Sequence, residues 1–312
     1  MRITWRRRLT SAGRGGDSRV QVRKVLRRDR EYPILLREIP DPPAQLFAAG
    51  LPLEPAPYVA VVGSRRASRY GLEVARWIAK ELASSGVVVV SGMARGIDAA
   101  AHNGALEAGG NTIAILGCGL DICYPRSNRL LYETILGRGT LIGEHELGTR
   151  PLPYHFPSRN RVIAGMSLGV VIVEGRHDGG AMITARLAME YNREVFAVAG
   201  PVHSPLSMGP HLLVRQGARL VTSAADILED LGMLQLVAPE TPEERIEPDE
   251  AAVLKAVSGA PALLDMIAEK VAMPASTTSS ILAKLEVKGM VSRHPGGRFG
   301  LSVGAPLTAR EK

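Results

Sequence analysis

Cysteines, aromatic residues and long apolar runs are all scarce in this sequence. Among its 312 residues there are two cysteines, Cys118 and Cys123, and 4% of the residues are Phe, Trp or Tyr. So few cysteines are typical of a cytoplasmic protein. Without further Cys or His at ligand spacing, they predict packing residues in preference to a redox pair or a metal site. No apolar run approaches the ~18 residues of a membrane span, so we expect no membrane role.

The positive charge is concentrated at the N-terminus. The formal net charge is +7, but residues 1–30 hold eleven Lys/Arg against two Asp/Glu, whereas residues 31–312 hold 27 against 29. The high pI is therefore a property of the first 30 residues. This segment lacks the apolar core of a secretory signal. We predict a basic, disordered arm, with auxiliary phosphate contact as the alternative.

From Tyr58 onward, short β-branched runs alternate with amphipathic helical patterns. This alternation is typical of βαβ units around a parallel sheet. The predicted fold class is α/β, an extended Rossmann-like, doubly wound and mostly parallel sheet over residues 31–236, in which 31–57 form an irregular, proline-rich lead-in. The predicted strands cover residues 58–62, 87–91, 112–116, 141–143, 170–173, 195–198 and 219–221.

A second, smaller domain is predicted after the sheet. Residues 237–248 combine proline with charge, which is typical of an exposed linker. Residues 249–303 predict three short helices and a hairpin turning at 295–297, the order of a winged helix-turn-helix. Its basic residues allow two interpretations, contact with duplex DNA or a partner, or a solvated face on a protein-interaction module. These residues are Lys284, Lys288, Arg293, His294 and Arg298.

The turn after the first of these strands carries the strongest functional signal. It contains Gly63, Ser64, Arg65 and Arg66, followed by Ser68 and a helix. Unpaired N–H groups at a helix N-terminus attract phosphate, a glycine permits close approach, and an arginine adds a bidentate clamp. We predict phosphate contacts here, against the alternative of a plain strand-to-helix turn. The spacing is not G-x-G-x-x-G, so a nicotinamide cofactor loses support. We expect no cofactor.

A second turn of small residues follows the next strand and contains Gly92, Arg95 and Gly96. The carboxyl ends of neighbouring parallel strands share one crevice, so we expect both turns to line the same site. Asp98 is predicted to form local hydrogen bonds near the helix start. His102 is predicted to pack within a helix and not to be a catalyst, because no carboxylate or nucleophile stands at a recognisable spacing from it.

In a third segment an aromatic residue stands beside two arginines and an amide, namely Phe156, Arg159, Arg161 and Asn160. A base stacks on such a ring for ~1–3 kcal/mol while guanidinium groups hold phosphates, and neither contact depends on base identity. This combination favours single-strand binding. The alternative is a buried ring with the arginines paired to Glu144 or Glu174. A glycine turn at Gly179 and Gly180 is a further, weaker phosphate candidate.

Together these segments resemble the DNA-processing protein A family, also called Smf, over residues 32–227. The matching motifs occur in the same order and are Tyr32-Pro33 to Asp41-Pro42-Pro43, Gly63-Ser64-Arg65 with Ser68-Arg69-Tyr70-Gly71, Ser91-Gly92 to Asp98, Phe156 to Arg161, and Gly217-Ala218. The resemblance implies a domain that binds single-stranded DNA, forms homodimers and hands the strand to the RecA recombinase in natural transformation. Carried over by position, the DNA pocket comprises Gly63, Ser64 and Arg65, with Phe156, Arg159, Asn160 and Arg161 opposite.

The sequence departs from the family pattern in three places. Many relatives carry a helical module before the Tyr-Pro motif, whereas here the basic arm precedes it, so the functions of that module cannot be assumed. Gly179-Gly180-Ala181 replaces the usual Ser-Gly-Ser, which removes two hydroxyls and puts the contacts of that loop in doubt. Val198-Ala199-Gly200 replaces Val-Pro-Gly, for which we expect a change in loop stiffness alone.

Two other functions compete with DNA binding by a protein that is not an enzyme. A related Rossmann-like family cleaves nucleoside monophosphates with a Pro-Gly-Gly-x-Gly-Thr run and a catalytic Glu, similar in placement to the loop at Gly179. The proline, the Gly-Thr pair and the spaced Glu are missing here. A role as a transcriptional regulator depends on the predicted winged helix alone.

Overall fold

The computed structural model describes residues 2–6, 19–233, 247–258 and 260–302. The chain divides into two compact units, Met1–Ala238 and Pro239–Lys312. The predicted linker lies outside the described residues except at its end, where Glu247 caps a helix that begins at Pro248. No helix in the described part of the chain is both long and apolar enough to cross a bilayer.

Strands of the first unit form one ten-stranded sheet. They are β1 (Arg2–Arg6), β2 (Arg19–Leu26), β3 (Gln45–Gly50), β4 (Tyr58–Val62), β5 (Val88–Ser91), β6 (Thr112–Leu116), β7 (Thr140–Gly143), β8 (Gly169–Ile172), β9 (Glu194–Val198) and β10 (Arg219–Val221). Their order is β1-β2-β3-β7-β6-β5-β4-β8-β9-β10. The seven strands β4 to β10 pair in parallel, which confirms the predicted doubly wound sheet.

Helices cover both faces of this sheet. They are α1 (Ile34–Arg37), α2 (Arg69–Ser84), α3 (Ile97–Glu107), α4 (Arg129–Arg138), α5 (His155–Met166), α6 (Gly180–Glu190), α7 (Met208–Arg215) and α8 (Ala224–Asp230). Successive side chains of a strand point to opposite faces, so Ile115 packs in one apolar core with α5 and α6. Its neighbours Ala114 and Leu116 pack in the other with α4. This burial on both faces accounts for the unbroken apolar strands of the sequence.

Two expectations about the N-terminal region are wrong. Residues 19–26 and 45–50 are strands, where a disordered arm and an irregular lead-in were predicted, and β3 joins them to the parallel sheet by pairing with β7. Val22 and Val25 are buried, while Arg23 donates to Glu31 and to the carbonyls of Gly50 and Leu51. Arg23 interrupts the apolar residues of β2, so the sequence did not indicate this strand. Residues 7–18 of the predicted arm lie outside the described residues.

The second unit has the predicted winged-helix order. Its elements are α9 (Pro248–Val257), β11 (Ala262–Leu263), α10 (Leu264–Val271), α11 (Ala275–Val287), β12 (Val291–His294) and β13 (Arg298–Leu301). Leu254, Ile267 and Leu282 from the three helices meet in one core. The short strand β11, which the sequence did not indicate, pairs antiparallel with β13 and completes a three-stranded sheet.

Candidate nucleic-acid site

The main cleft of the first unit lies where the strand order reverses. Strand β4 pairs with β5 on one side and with β8 on the other. The chain adds β5, β6 and β7 on the first side and then returns to add β8, β9 and β10 on the second. Such a switch point opens a crevice at the carboxyl ends of the strands. A cavity of about 570 Å³ occupies it, between the turn after β4, the first turns of α5 and the start of α6.

Eight of the thirteen predicted site residues line this cavity. They are Gly63, Ser64, Arg65, Arg66, Phe156, Arg159, Asn160 and Gly180. The remaining five, Ser68, Gly92, Arg95, Gly96 and Arg161, are not part of its lining. The structure thus brings the first and third segments together around one cavity. Gly92 and Gly96 of the second turn lie behind it and pack against Arg159 and Ser64.

Arg65 and Phe156 meet at the cavity. The guanidinium carbon of Arg65 lies 5.4 Å from the centroid of the Phe156 ring, a cation–π contact. Arg65 and Arg66 are exposed, and neither forms an ion pair with a carboxylate in the described part of the chain. Phe156 is partly buried and not sealed in the interior. An exposed arginine that forms no ion pair in the described part of the chain therefore stands against an accessible ring.

The N-terminus of α2 differs from the expected phosphate cradle. Glu174, which is 3% exposed and follows β8, accepts a hydrogen bond from the backbone N–H of Ser68 (2.8 Å) and another from its hydroxyl (2.5 Å). The Ser68 hydroxyl in turn accepts from the N–H of Gly71. The expectation that these N–H groups are unpaired is wrong, because a buried carboxylate takes the position predicted for phosphate. A Cβ on Gly71 would lie 2.3 Å from that carboxylate, so the glycine makes room for it.

Three glycines of the predicted site serve packing. A Cβ on Gly63 would lie 2.6 Å from the side chain of Ile97, and one on Gly92 would lie 2.1 Å from the Arg159 guanidinium. Gly96 has φ +77°, and a Cβ there would meet the Ser64 carbonyl at 2.2 Å. These spaces are filled by the protein itself, so the glycines let the turns and α3 pack closely rather than admit a ligand.

Gly180 differs from those glycines because an added Cβ would meet nothing within 4 Å. It is the first residue of α6, whose N-cap, Gly179, makes no side-chain cap hydrogen bond, and the first turn of that helix contains no acidic residue. Asn160 donates a long hydrogen bond of 3.4 Å to the Gly180 carbonyl. The positive end of the α6 dipole therefore borders the cavity. The acidic residue just before it, Asp178, is exposed and paired with Arg176.

Arg159 places a buried positive charge at the cavity. Its side chain is 6% exposed and Nη1 donates to the Ile115 carbonyl (2.5 Å), whereas Nε has no hydrogen-bond partner among the described residues. Burial lowers the pKa of Arg159 to about 10, and the nearby Asp98 opposes that shift. Asp98 is itself buried, which raises its pKa, and it accepts from the N–H groups of Gly92 and Ala94.

Arg161 is engaged by protein carboxylates. Its guanidinium contacts Glu144, lies 3.2 Å from an Asp41 carboxylate oxygen and donates to the Asp41 carbonyl (2.7 Å). The alternative interpretation, in which an arginine pairs with Glu144, therefore describes Arg161, and the predicted DNA contact does not fit its position. The helix turns this side chain away from the cavity that Arg159 and Asn160 line.

His102 and Cys118 have structural positions. His102 is fully buried, its Nδ1 lies 2.7 Å from the Thr112 hydroxyl, and burial lowers its pKa to about 3. Because that hydroxyl donates to the Val89 carbonyl, Nδ1 carries the proton, and the packing interpretation is confirmed. Cys118 is not disulfide-bonded, and burial raises its thiol pKa to about 12, as expected of a packing residue. No metal-binding cluster of His, Cys, Asp or Glu occurs in the described ranges.

One residue of this region was missed at the sequence level. Tyr124 follows β6 in a loop, is 42% exposed, and its ring centroid lies 5.3 Å from that of Phe156. The available signal was its position after the carboxyl end of a strand next to the second turn. Nothing local distinguished it from other exposed tyrosines, because its partner is 32 residues away in sequence.

Comparison with known proteins identifies the family. The model of the family described as DNA recombination-mediator protein A matches residues 23–232, and that of the DprA winged helix domain matches residues 237–297. The Smf protein of Escherichia coli K12 is 41% identical over 85% of this chain and 74% of its own length. DNA processing protein DprA of Streptococcus pneumoniae R6 is 45% identical over 64% of this chain and 71% of its own length.

Two solved structures are also similar. That of DprA from Streptococcus pneumoniae has a TM-score of 0.65 at 43% identity and covers 67% of this chain and 74% of its own. The second structure is DNA processing protein A from Helicobacter pylori, described with its single-stranded DNA binding mode. It has a TM-score of 0.61 at 29% identity, and the match covers 67% of this chain and 95% of that one. With a matching sequence, sheet and winged helix, this chain belongs to the DNA recombination-mediator protein A family, also named DprA or Smf.

Proposed function

We propose that this protein binds single-stranded DNA in the crevice at the carboxyl ends of β4 and β8. The observation that carries the proposal is the exposed Arg65, without a carboxylate partner in the described chain, standing 5.4 Å from the Phe156 ring. A guanidinium group binds a phosphate while the neighbouring ring stacks a base, and an unpaired strand offers both at every nucleotide. The buried charge of Arg159 and the start of α6 add positive potential to the same cavity.

The relatives support this proposal. The Helicobacter pylori protein is described by its single-stranded DNA binding mode, and the matched family is that of recombination mediators. By the same resemblance we propose that this chain acts in the cytoplasm as a homodimer, protects incoming DNA and loads the RecA recombinase in natural transformation and homologous recombination. Faster RecA filament formation on DNA already coated with this protein tests the loading step, and unchanged kinetics would reduce the proposal to binding.

We further propose that the crevice is a binding site and not an enzyme active site. The buried carboxylate that lines it, Asp98, accepts hydrogen bonds from the backbone N–H groups of Gly92 and Ala94 and so holds the second turn. Glu174, which is also buried and lies outside the lining, accepts from the Ser68 N–H. The buried His102 has no route to a substrate in the cavity. Incubation with nucleoside monophosphates, followed by chromatography for free base, tests this point, and clear turnover would overturn it.

The DNA site is tested by replacing Arg65 with alanine. Loss of one charged phosphate contact is expected to weaken oligo-dT binding about tenfold or more and to make the salt dependence shallower by about 0.7 in log–log slope, measured by fluorescence anisotropy. Arg215→Ala is the matched control, because Arg215 is exposed at the end of α7 and does not line the cavity. Equal affinity of both variants and the parent would refute the site.

A further inference from the structure

A loop beside the cavity carries a second exposed ring. Tyr124 follows β6 and is 42% exposed, and its ring lies 5.3 Å from that of Phe156 at an interplanar angle of 33°. Phe156 is partly buried and contacts Arg65 as well as Tyr124. The three side chains therefore form a continuous group in which Tyr124 supplies an exposed aromatic surface outside the cavity lining.

The loop is anchored to the second turn. The Asn128 amide donates to the carbonyls of Met93 (2.9 Å) and Ala94 (3.1 Å), and the Arg95 guanidinium donates to the Ser127 hydroxyl (3.2 Å). These bonds join the segment after β6 to the segment after β5, 32 to 35 residues earlier in the chain. A ring on an anchored loop loses little conformational entropy when a ligand stacks on it.

Exposed cations accompany this ring. Arg95 and Arg126 are both exposed, and neither is ion-paired with a carboxylate within the ranges that the structure describes. The nearest acidic side chain along the loop, Asp121, accepts a bifurcated hydrogen bond from the N–H of Gly148 through both of its oxygens. An aromatic face next to cations that no carboxylate neutralises is the composition of a stacking platform for unpaired nucleotides.

We propose that Tyr124 stacks a second base of the bound strand, next to the nucleotide held at Arg65 and Phe156, with Arg95 and Arg126 holding its phosphates. This inference depends on the single-strand binding proposed above and extends the site beyond the cavity. It also gives a binding role to Arg95, which the sequence selected and which does not line the cavity.

The full-length protein and dT oligonucleotides test the proposal. Tyr124→Leu is expected to weaken binding about five- to 100-fold, the range for loss of one base–aromatic stack, while Tyr124→Phe retains affinity within about threefold. Tyr154→Leu is the matched control, because Tyr154 is 66% exposed and its nearest ring contact is His155 rather than Phe156. An abasic nucleotide is then placed at each position of the oligonucleotide in turn. The parent should lose affinity when the base that stacks on Tyr124 is removed, whereas the affinity of Tyr124→Leu should not change at that position.

A second measurement needs no variant. Photocrosslinking of the parent protein to oligonucleotides carrying single 5-iododeoxyuridines should label the peptide that contains Tyr124 at one position and that containing Phe156 at its neighbour. Crosslinking at Phe156 without crosslinking at Tyr124 at any position of the iodinated base, or parental affinity of Tyr124→Leu, overturns this inference. Both outcomes are distinct from failure of the proposed function, in which the parent does not bind dT or Arg65→Ala binds as the parent does.

Discussion

Basic residues of the crevice and of the winged-helix unit have different partners. At the crevice, Arg65 and Arg66 are exposed, and no described carboxylate pairs with either. In the winged helix, Lys288 lies 2.9 Å from a carboxylate oxygen of the buried Glu250, and Arg293 lies 3.2 Å from Glu286. The Arg293 guanidinium also lies over the Phe299 ring. Lys284 and Arg298 of the winged helix are exposed as well. The difference between the regions therefore concerns Lys288 and Arg293, which carboxylates hold, and not the number of charges.

The exposed face of α11 sharpens this contrast. In a DNA-binding helix-turn-helix the second helix presents base-reading and phosphate-binding side chains. Here the exposed positions of its first two turns are small and uncharged, and they include Ser276, Thr277, Ser279 and Ser280. The pairing of a charge is thus a better guide to a nucleic-acid surface than the count of charges.

Charge reversal gives the largest expected difference between the two regions. Arg65→Glu combined with Arg66→Glu replaces two phosphate-binding charges by repulsive ones, and we expect about a hundredfold loss of oligo-dT affinity. Lys284→Glu combined with Arg298→Glu makes the same change in net charge on exposed winged-helix positions and should alter affinity by less than about threefold. Fluorescence anisotropy at one salt concentration measures the oligo-dT affinity of both double variants. Equal losses of affinity would show that net charge alone governs binding.

A smaller effect separates free from paired arginines within the first unit. Arg161→Ala leaves the half-buried Glu144 without its cation, and burial already raises the pKa of that carboxyl. We expect the free energy of unfolding to fall by about 1–3 kcal/mol, less than for a fully buried pair because both groups are partly solvated. Arg66→Ala, the matched control, should stay within about 0.5 kcal/mol. Urea unfolding measures both, and similar stabilities of the two variants would contradict the structural role of Arg161.

The smallest expected effect concerns the winged helix. In this unit Lys288 donates a hydrogen bond to Glu250, and this bond is the main cause that lowers the pKa of Glu250 below the ordinary 4.5. A carboxyl whose folded-state pKa is lowered contributes stability above the unfolded-state pKa and loses it as the pH falls through the folded-state value. Lys288→Met should therefore cost about 0.5–1 kcal/mol at pH 7 and less below pH ~4, where protonation removes the pair in the parent as well.

Hydrogen exchange of α9 and α11, corrected for intrinsic rates, measures this local stability. Lys255→Met is the control, because Lys255 is exposed on α9 and forms no ion pair with a carboxylate among the described residues. An equal loss of protection in Lys288→Met at pH 7 and at pH 4 would contradict the linkage.

Local sequence patterns predicted the parallel sheet closely. Residues 59–62 and 113–116 are apolar in every position because both faces of those strands are buried, so composition alone identified them. The strand at 19–26 escaped notice because Arg23 and Lys24 interrupt its apolar residues. The partners of Arg23, which are Glu31 and the carbonyls of Gly50 and Leu51, become visible in three dimensions alone.

The site divides in the same way. The small-residue turns after β4 and β5 and the Phe/Arg segment of α5 were visible in the sequence, and strand parallelism required that they converge at one edge. Which charges stay available was decided by the tertiary structure. Glu174 reaches Ser68 across 106 residues and fills the N-terminus of α2, Arg161 is held by Glu144, and Arg65 remains exposed. Periodicity is a local property that a chain displays residue by residue, whereas the pairing of a charge depends on which distant carboxylate the fold brings within a few ångströms.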